Sequence, residues 1–108
     1  MSAALIWSPF DGEEAAAKAA SQLLDEGLIA CANLIPGVRS LYVWKGERGE
    51  ARECGALFKT EASLLDQACA RLAEIHPYET PAVSGWRADA TAAPTAEWLG
   101  ELARGSRQ

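Results

Sequence analysis

The sequence is short of positive charge. Lysine and arginine together number 10 against 15 aspartates and glutamates, a formal net charge of −5 at pH 7. A nucleic-acid binder needs a basic stripe that displaces counterions from phosphates, and an anionic membrane surface makes a similar demand, so neither partner is expected. Histidine occurs once, at His76, and a single histidine gives no basis for a serine–histidine–acid triad. The three cysteines, Cys31, Cys54 and Cys69, are odd in number and widely spaced. They make a poor disulfide framework, and no Cys-x-x-Cys is present to suit a metal chaperone, so a reducing cytoplasm is the expected location. No apolar stretch is long enough to span a bilayer. Met1-Ser2-Ala3-Ala4-Leu5-Ile6-Trp7 has no basic segment ahead of its apolar run, so no signal peptide is expected.

What the chain does have is apolar material, 49 % of 108 residues. That suits one domain, residues 1–108, with a real core. A domain of this size still buries only about two-thirds of its unfolded surface, so a partner subunit would help. Ala3 to Ser8 reads as a first strand ending at Pro9. Asp11 as N-cap with Glu14 three residues on resembles a capping box. Ala16, Ala19, Ala20, Leu23 and Leu24 then recur at helical spacing as far as Gly27, which predicts a helix over 12–26. Residues 29–44 read as extended and apolar on both faces, with a bend or bulge at Pro36-Gly37. Residues 45–51, polar and carrying Gly46 and Gly49, read as a hairpin loop, and 52–60 as the returning strand. Ser63 with Asp66 is expected to cap a second helix, whose stripe is Leu65, Ala68, Cys69, Leu72 and Ile75. That helix ends before Pro77. A last strand is expected over 82–87, and Pro94 opens a short third helix with Trp98, Leu99 and Leu102 inward.

The order of strand, helix, two strands, helix, strand and small helix predicts an α+β, ferredoxin-like βαββαβ sandwich with a long central β-hairpin and a short C-terminal helix. One length matters most. Residues 29–44, if extended, span roughly 50 Å at about 3.3 Å each, whereas a compact domain of this size has a radius of gyration near ~13 Å. The hairpin should overhang the domain. An overhanging apolar hairpin invites aggregation unless copies of the chain cover it in a closed assembly.

Ala30-Cys31-Ala32-Asn33-Leu34-Ile35-Pro36-Gly37-Val38-Arg39-Ser40-Leu41-Tyr42-Val43-Trp44-Lys45-Gly46 resembles the long central motif of the CutA family. Phe58-Lys59-Thr60 is similar to its strand end, His76-Pro77-Tyr78-Glu79-Thr80-Pro81 to its second hallmark, and Trp98-Leu99 to its C-terminal pair. The resemblance runs over nearly the whole chain. It implies a homotrimer joined through the long strands and akin to PII signalling proteins. It also implies a role in divalent-cation tolerance, with copper or another divalent metal as ligand and no catalytic activity. Ser8 and Ile75 stand where some members of that family carry a cysteine and a histidine.

The candidate residues divide between chemistry and packing. His76 and Cys31 are the metal-ligand candidates, since imidazole and thiolate suit Cu(II) and other late divalent metals. A lone histidine or cysteine is also a common structural residue, and Cys69 reads as core. Trp44, Lys59, Tyr78, Glu79 and Trp98 form a candidate subunit-boundary cleft, either a site for a small polar ligand or a lock between subunits. An enzyme is not expected. The phosphate cradle of acylphosphatases, which share the subunit fold, needs an arginine in the first loop, and Ser8-Pro9-Phe10-Asp11-Gly12 has none. A PII-like small-ligand sensor and a structural scaffold for a partner protein remain as alternatives to the metal role.

Overall fold

The structure is a computed structural model that describes residues 2–105. Its elements follow the expected order: β1 (Ala3–Phe10), α1 (Glu13–Asp25), β2 (Cys31–Trp44), β3 (Glu47–Glu61), a 3-10 turn (Ala62–Leu64), α2 (Leu65–Ile75), β4 (Ser84–Arg87) and α3 (Ala93–Ala103). The four strands form one antiparallel sheet in the order β2-β3-β1-β4. This is the ferredoxin-like arrangement that the order of elements predicts.

Period-2 burial separates the two faces of the sheet. Ala4, Ile6, Ser8 and Phe10 of β1 and Cys54, Ala56, Phe58 and Thr60 of β3 are buried on the side of α1 and α2. Ala16, Ala19, Ala20 and Leu23 of α1, with Leu65, Ala68 and Leu72 of α2, close that core. Small residues on α1 let the helix lie close to the sheet. At Gly85 of β4, a Cβ would stand 2.7 Å from Leu65 and 2.9 Å from the Cys69 thiol, so the missing side chain is what lets α2 settle there. The opposite face carries Leu5, Trp7, Leu57 and Lys59, and α3 lies against β3 and β1 with Leu99 buried. Leu99 is not part of the α1–α2 core, which puts α3 on this second face.

Several local expectations are corrected. β1 continues through Pro9 to Phe10 because β4 pairs with β1 only as far as Trp7↔Ser84. Beyond that point no β4 residue needs the N–H that proline lacks. Gly12, not Asp11, is the N-cap of α1, and no side chain caps it. Helix α2 is preceded by a 3-10 turn held by the Glu61 carboxylate, which accepts from the amide and hydroxyl of Ser63. The expected loop over 45–51 is a two-residue turn, Lys45-Gly46, both residues at positive φ (53° and 79°). Such a turn matches the strands' right-handed twist, so pairing runs to Trp44↔Glu47 and β3 starts at Glu47 rather than 52. Trp98 is 45 % exposed, although Leu99 beside it is buried. Consecutive helical residues point about 100° apart, so both could not face the sheet.

Other expectations hold. Gly27 at φ 73° closes α1, with the Leu28 amide donating to the Leu23 carbonyl at 3.0 Å. At Pro36-Gly37 the register slips from Ile35↔Gly55 to Val38↔Glu53, two residues against one, with Gly37 at φ 77°.

Two buried hydroxyls offer opposite tests of the core. Thr60 Oγ1 donates to the Leu28 carbonyl at 2.8 Å, whereas Ser8 Oγ is buried with no protein partner. Thr60→Val should cost roughly 1–3 kcal/mol, and Ser8→Ala should be neutral or stabilising by about 1 kcal/mol. Denaturant unfolding of the two variants checks the pair of signs.

Candidate functional site

The sheet is too short for its own hairpin. β1 pairs with β3 from Ala3↔Glu61 to Phe10↔Cys54 and no further. From Glu53 to the tip, β3 has only β2 beside it, and β2 is an edge strand. The molecule is drawn out to 44 × 27 × 22 Å as a result. On this projecting ribbon Leu41 is 56 % exposed, Val43 67 % and Trp44 48 %. A free two-stranded ribbon is marginal in water. Some bracing is internal: the Tyr42 ring lies over Gly49, where a Cβ would come within 2.4 Å of it, Arg39 pairs with Glu50 at 2.6 Å, and Lys45 Nζ lies 5.6 Å from the Trp44 ring.

The root of the ribbon is held by the segment after α2. His76 takes extended geometry (φ −65°, ψ 136°) ahead of Pro77, which ends the helix and turns the chain toward β1. The imidazole is 6 % exposed and stacks on Phe10 with centroids 4.1 Å apart. Nε2 lies 3.0 Å from the Pro9 carbonyl, which β4 leaves free, and Nδ1 accepts from the Tyr78 amide at 3.2 Å. Tyr78 Oη then donates to Glu53 Oε2 at 2.6 Å. Burial, first, and the Glu53 carboxylate, second, push the Tyr78 phenol well above the ordinary tyrosine range. Burial holds the imidazole below the usual histidine value, against the opposing pull of the Pro9 carbonyl, Asp11 and Glu53.

The candidate residues are thus spread apart within one subunit. His76 and Tyr78 meet, but their third partner is Glu53, which the sequence reading did not single out. Nothing in its surroundings, Arg52-Glu53-Cys54, sets it apart from the other hairpin glutamates; only the register shows that it sits where β1 ends. Lys59 pairs with Cys31 and Leu5 on the α3 side of the sheet. Trp44 is twelve ladder positions from it along β3, roughly 40 Å at about 3.3 Å per residue. Glu79 is exposed in the turn before β4, and Trp98 is exposed on α3.

The two metal-ligand candidates do not meet either. Cys31 lies in the row of Leu5 while His76 is bound at Pro9, roughly 13 Å further along the strands. Both imidazole nitrogens are already engaged, so His76 as placed offers a metal no free lone pair. The half-buried Cys31 thiol has only a weak contact to Asn33 Oδ1 at 3.8 Å. Among the described residues no three His, Cys, Asp or Glu side chains gather as a metal-binding group. Burial raises the Cys54 and Cys69 thiols above their ordinary range, so both are poor thiolates.

A four-stranded ferredoxin-like sheet with an overlong central hairpin, tied at its root by a His-Pro-Tyr turn, defines a class of small α+β subunit. The family described as CutA1 divalent ion tolerance protein matches residues 4–102, and the chain belongs to that family. It is 37 % identical over 97 residues to a divalent-cation tolerance protein CutA of Thermotoga maritima, covering 90 % of this chain and 95 % of that one. The crystal structure of a divalent ion tolerance protein CutA1 from Ehrlichia chaffeensis matches with a TM-score of 0.87 at 30 % identity, over 94 % of each chain. That of CutA1 from Pyrococcus horikoshii matches with a TM-score of 0.85 at 35 % identity, over 92 % of this chain and 96 % of the other.

The tie at the hairpin root has a measurable strength. A hydrogen bond to a charged acceptor contributes more than a neutral one, so Tyr78→Phe and Glu53→Gln should each cost roughly 1–2 kcal/mol. The double variant should cost clearly less than the sum, since one change removes the bond and the other takes the charge from its acceptor. Chemical unfolding of the three proteins reads the coupling; strict additivity would deny the bond.

Proposed function

We propose that the chain acts as a homotrimer in divalent-cation tolerance, taking copper or another divalent ion on ligands that only the assembly brings together. One observation supports this reading above the others: the ribbon from Val38 to Glu53 carries Leu41, Val43 and Trp44 largely bare and leaves the β2 edge unpaired. Covering such a ribbon with copies of itself removes both the apolar exposure and the open edge. The proposed boundary cleft of Trp44, Lys59, Tyr78, Glu79 and Trp98 belongs to the same assembly, because one subunit keeps its members apart. Cys31, on the open face and half exposed, is the subunit's contribution to the proposed ligand set; His76 is not.

The same geometry also supports a second reading, a PII-like trimeric sensor of a small polar ligand or a scaffold for a partner protein with no metal role. The His76 nitrogens are spent on the fold, and what remains at the surface is aromatic and polar. No catalytic role is proposed. A cytoplasmic location goes with either reading, on the three unpaired thiols.

The mass in solution tests the assembly. Light scattering at micromolar concentration should give about three times the 11.5 kDa of the subunit, and a stable monomer would end the proposal. Cu²⁺ titration then separates the two readings. Saturable binding that weakens in Cys31→Ser, and is unchanged by His76→Asn once the trimer is intact, supports the metal reading. No binding to an intact trimer favours the sensor or scaffold.

A further inference from the structure

A buried imidazole between a carbonyl and an amide has its proton placed by its neighbours. A carbonyl only accepts and a backbone N–H only donates. The Pro9 carbonyl 3.0 Å from Nε2 therefore requires a proton on Nε2, and the Tyr78 amide 3.2 Å from Nδ1 requires a lone pair on Nδ1. The residue that supplies this amide also supplies the phenol that holds Glu53, the first β3 residue beyond the reach of β1. We propose that His76, Tyr78 and Glu53 form an acid-sensitive latch, in which the neutral imidazole fixes the turn that ties down the hairpin root and protonation at Nδ1 releases it.

The step is a single proton addition. A proton from solvent takes the Nδ1 lone pair, and the imidazolium then carries N–H on both nitrogens. The bond from Nε2–H to Pro9 survives. The Tyr78 amide now faces another N–H, and residue 78 has to move away, drawing its phenol off Glu53. The groups around the ring pull both ways. Asp11, from the β1–α1 loop, and Glu53, from β3, favour the charged ring; burial opposes it, with Phe10 of β1 flat against one face. Tyr42 of β2 faces the Tyr78 phenol. The burial cost is the larger, so the folded ring binds its proton less readily than the unfolded one.

The sign follows from linkage. The latch is fully favoured above the unfolded histidine value, about 6.5. It weakens as pH falls from there through the depressed folded value, by at most about tenfold in the opening constant per pH unit for one proton. Above about 6.5 it is flat, and it is flat again below the depressed folded value. None of this needs a metal, so it stands apart from the reading of the assembly's function.

Two measurements on the full-length assembled protein test it. Side-chain ¹⁵N spectra of His76 near neutral pH should show a protonated Nε2 and an unprotonated Nδ1; the reverse tautomer overturns the latch. Hydrogen exchange of the Tyr78 amide and of the Arg52–Cys54 segment, corrected for intrinsic rates, is then followed from about pH 7.5 to about 5.5. The opening of both segments should rise together in the wild type. It should be flat in His76→Asn, which keeps an acceptor for the Tyr78 amide and does not titrate. Tyr78→Phe should leave the ring's titration in place and the hairpin root open at every pH. Equal pH slopes in wild type and His76→Asn, or an unchanged hairpin root in Tyr78→Phe, would overturn the proposal. If His76→Asn fails to fold, the wild-type spectrum and the Tyr78→Phe exchange decide it by themselves.

Discussion

A hairpin longer than the sheet beneath it sets the terms for the rest of the molecule. Backbone pairing between β1 and β3 stops at Phe10↔Cys54, while β2 and β3 continue to Trp44↔Glu47. Beyond that stop, the Tyr78 bond to Glu53 at the root apart, backbone pairing has to come from the two strands themselves or from outside the subunit. The devices along the ribbon answer this. A Lys45-Gly46 turn at positive φ agrees with the strand twist, the Tyr42 ring fills the space over Gly49, and Arg39 pairs with Glu50 across the strands. Exposed ion pairs contribute little, typically 0–1 kcal/mol. The internal bracing is therefore modest against the exposed Leu41, Val43 and Trp44.

The root carries a different kind of chemistry. His76, Tyr78 and Glu53 are residue types that elsewhere make acid–base or metal sites. Here their polar atoms are paired with backbone or with each other. A buried polar group left unpaired costs more than a paired one gains. This makes the chain from Pro9 to Glu53 specific as well as stabilising: only one tautomer and one turn geometry satisfy it. The Arg71 guanidinium does similar work on the outer surface, donating to both Glu26 oxygens at 2.9 Å and tying the end of α1 to α2.

How much of this the sequence shows depends on the range of the interaction. Periodicity gave the helices and the sheet because α1 and α2 bury one stripe each, and Pro36-Gly37 marked the bulge because its cause is local. The turn is shorter than expected because Gly46 and Gly49 look alike in sequence. One takes a positive φ and the other lies under the ring of Tyr42, its direct partner across the strands. The residues of the central hairpin and of the His-Pro-Tyr turn stood out by resemblance, but their grouping did not. Trp44 and Lys59 share a hairpin and sit at its two ends, and Glu53 matters only through a register fixed by β1. Cap geometry failed for a related reason: α1 starts on Gly12 because the chain leaves β1 after Phe10, one residue pair later than the proline suggested.

The fixed tautomer also constrains how a cation can meet this fold. A metal at His76 needs the lone pair on Nδ1, the one that the Tyr78 amide already holds. Coordination there would remove the same bond that a proton removes and would leave the ring against the same carboxylates, Asp11 and Glu53. The imidazole therefore serves either the hairpin root or a cation, not both. A divalent ion that left the root intact would have to use other ligands, and Cys31 on the opposite face of the sheet is free of this conflict. The exposed ribbon and the open β2 edge, rather than the conspicuous histidine, are where this subunit leaves groups unengaged.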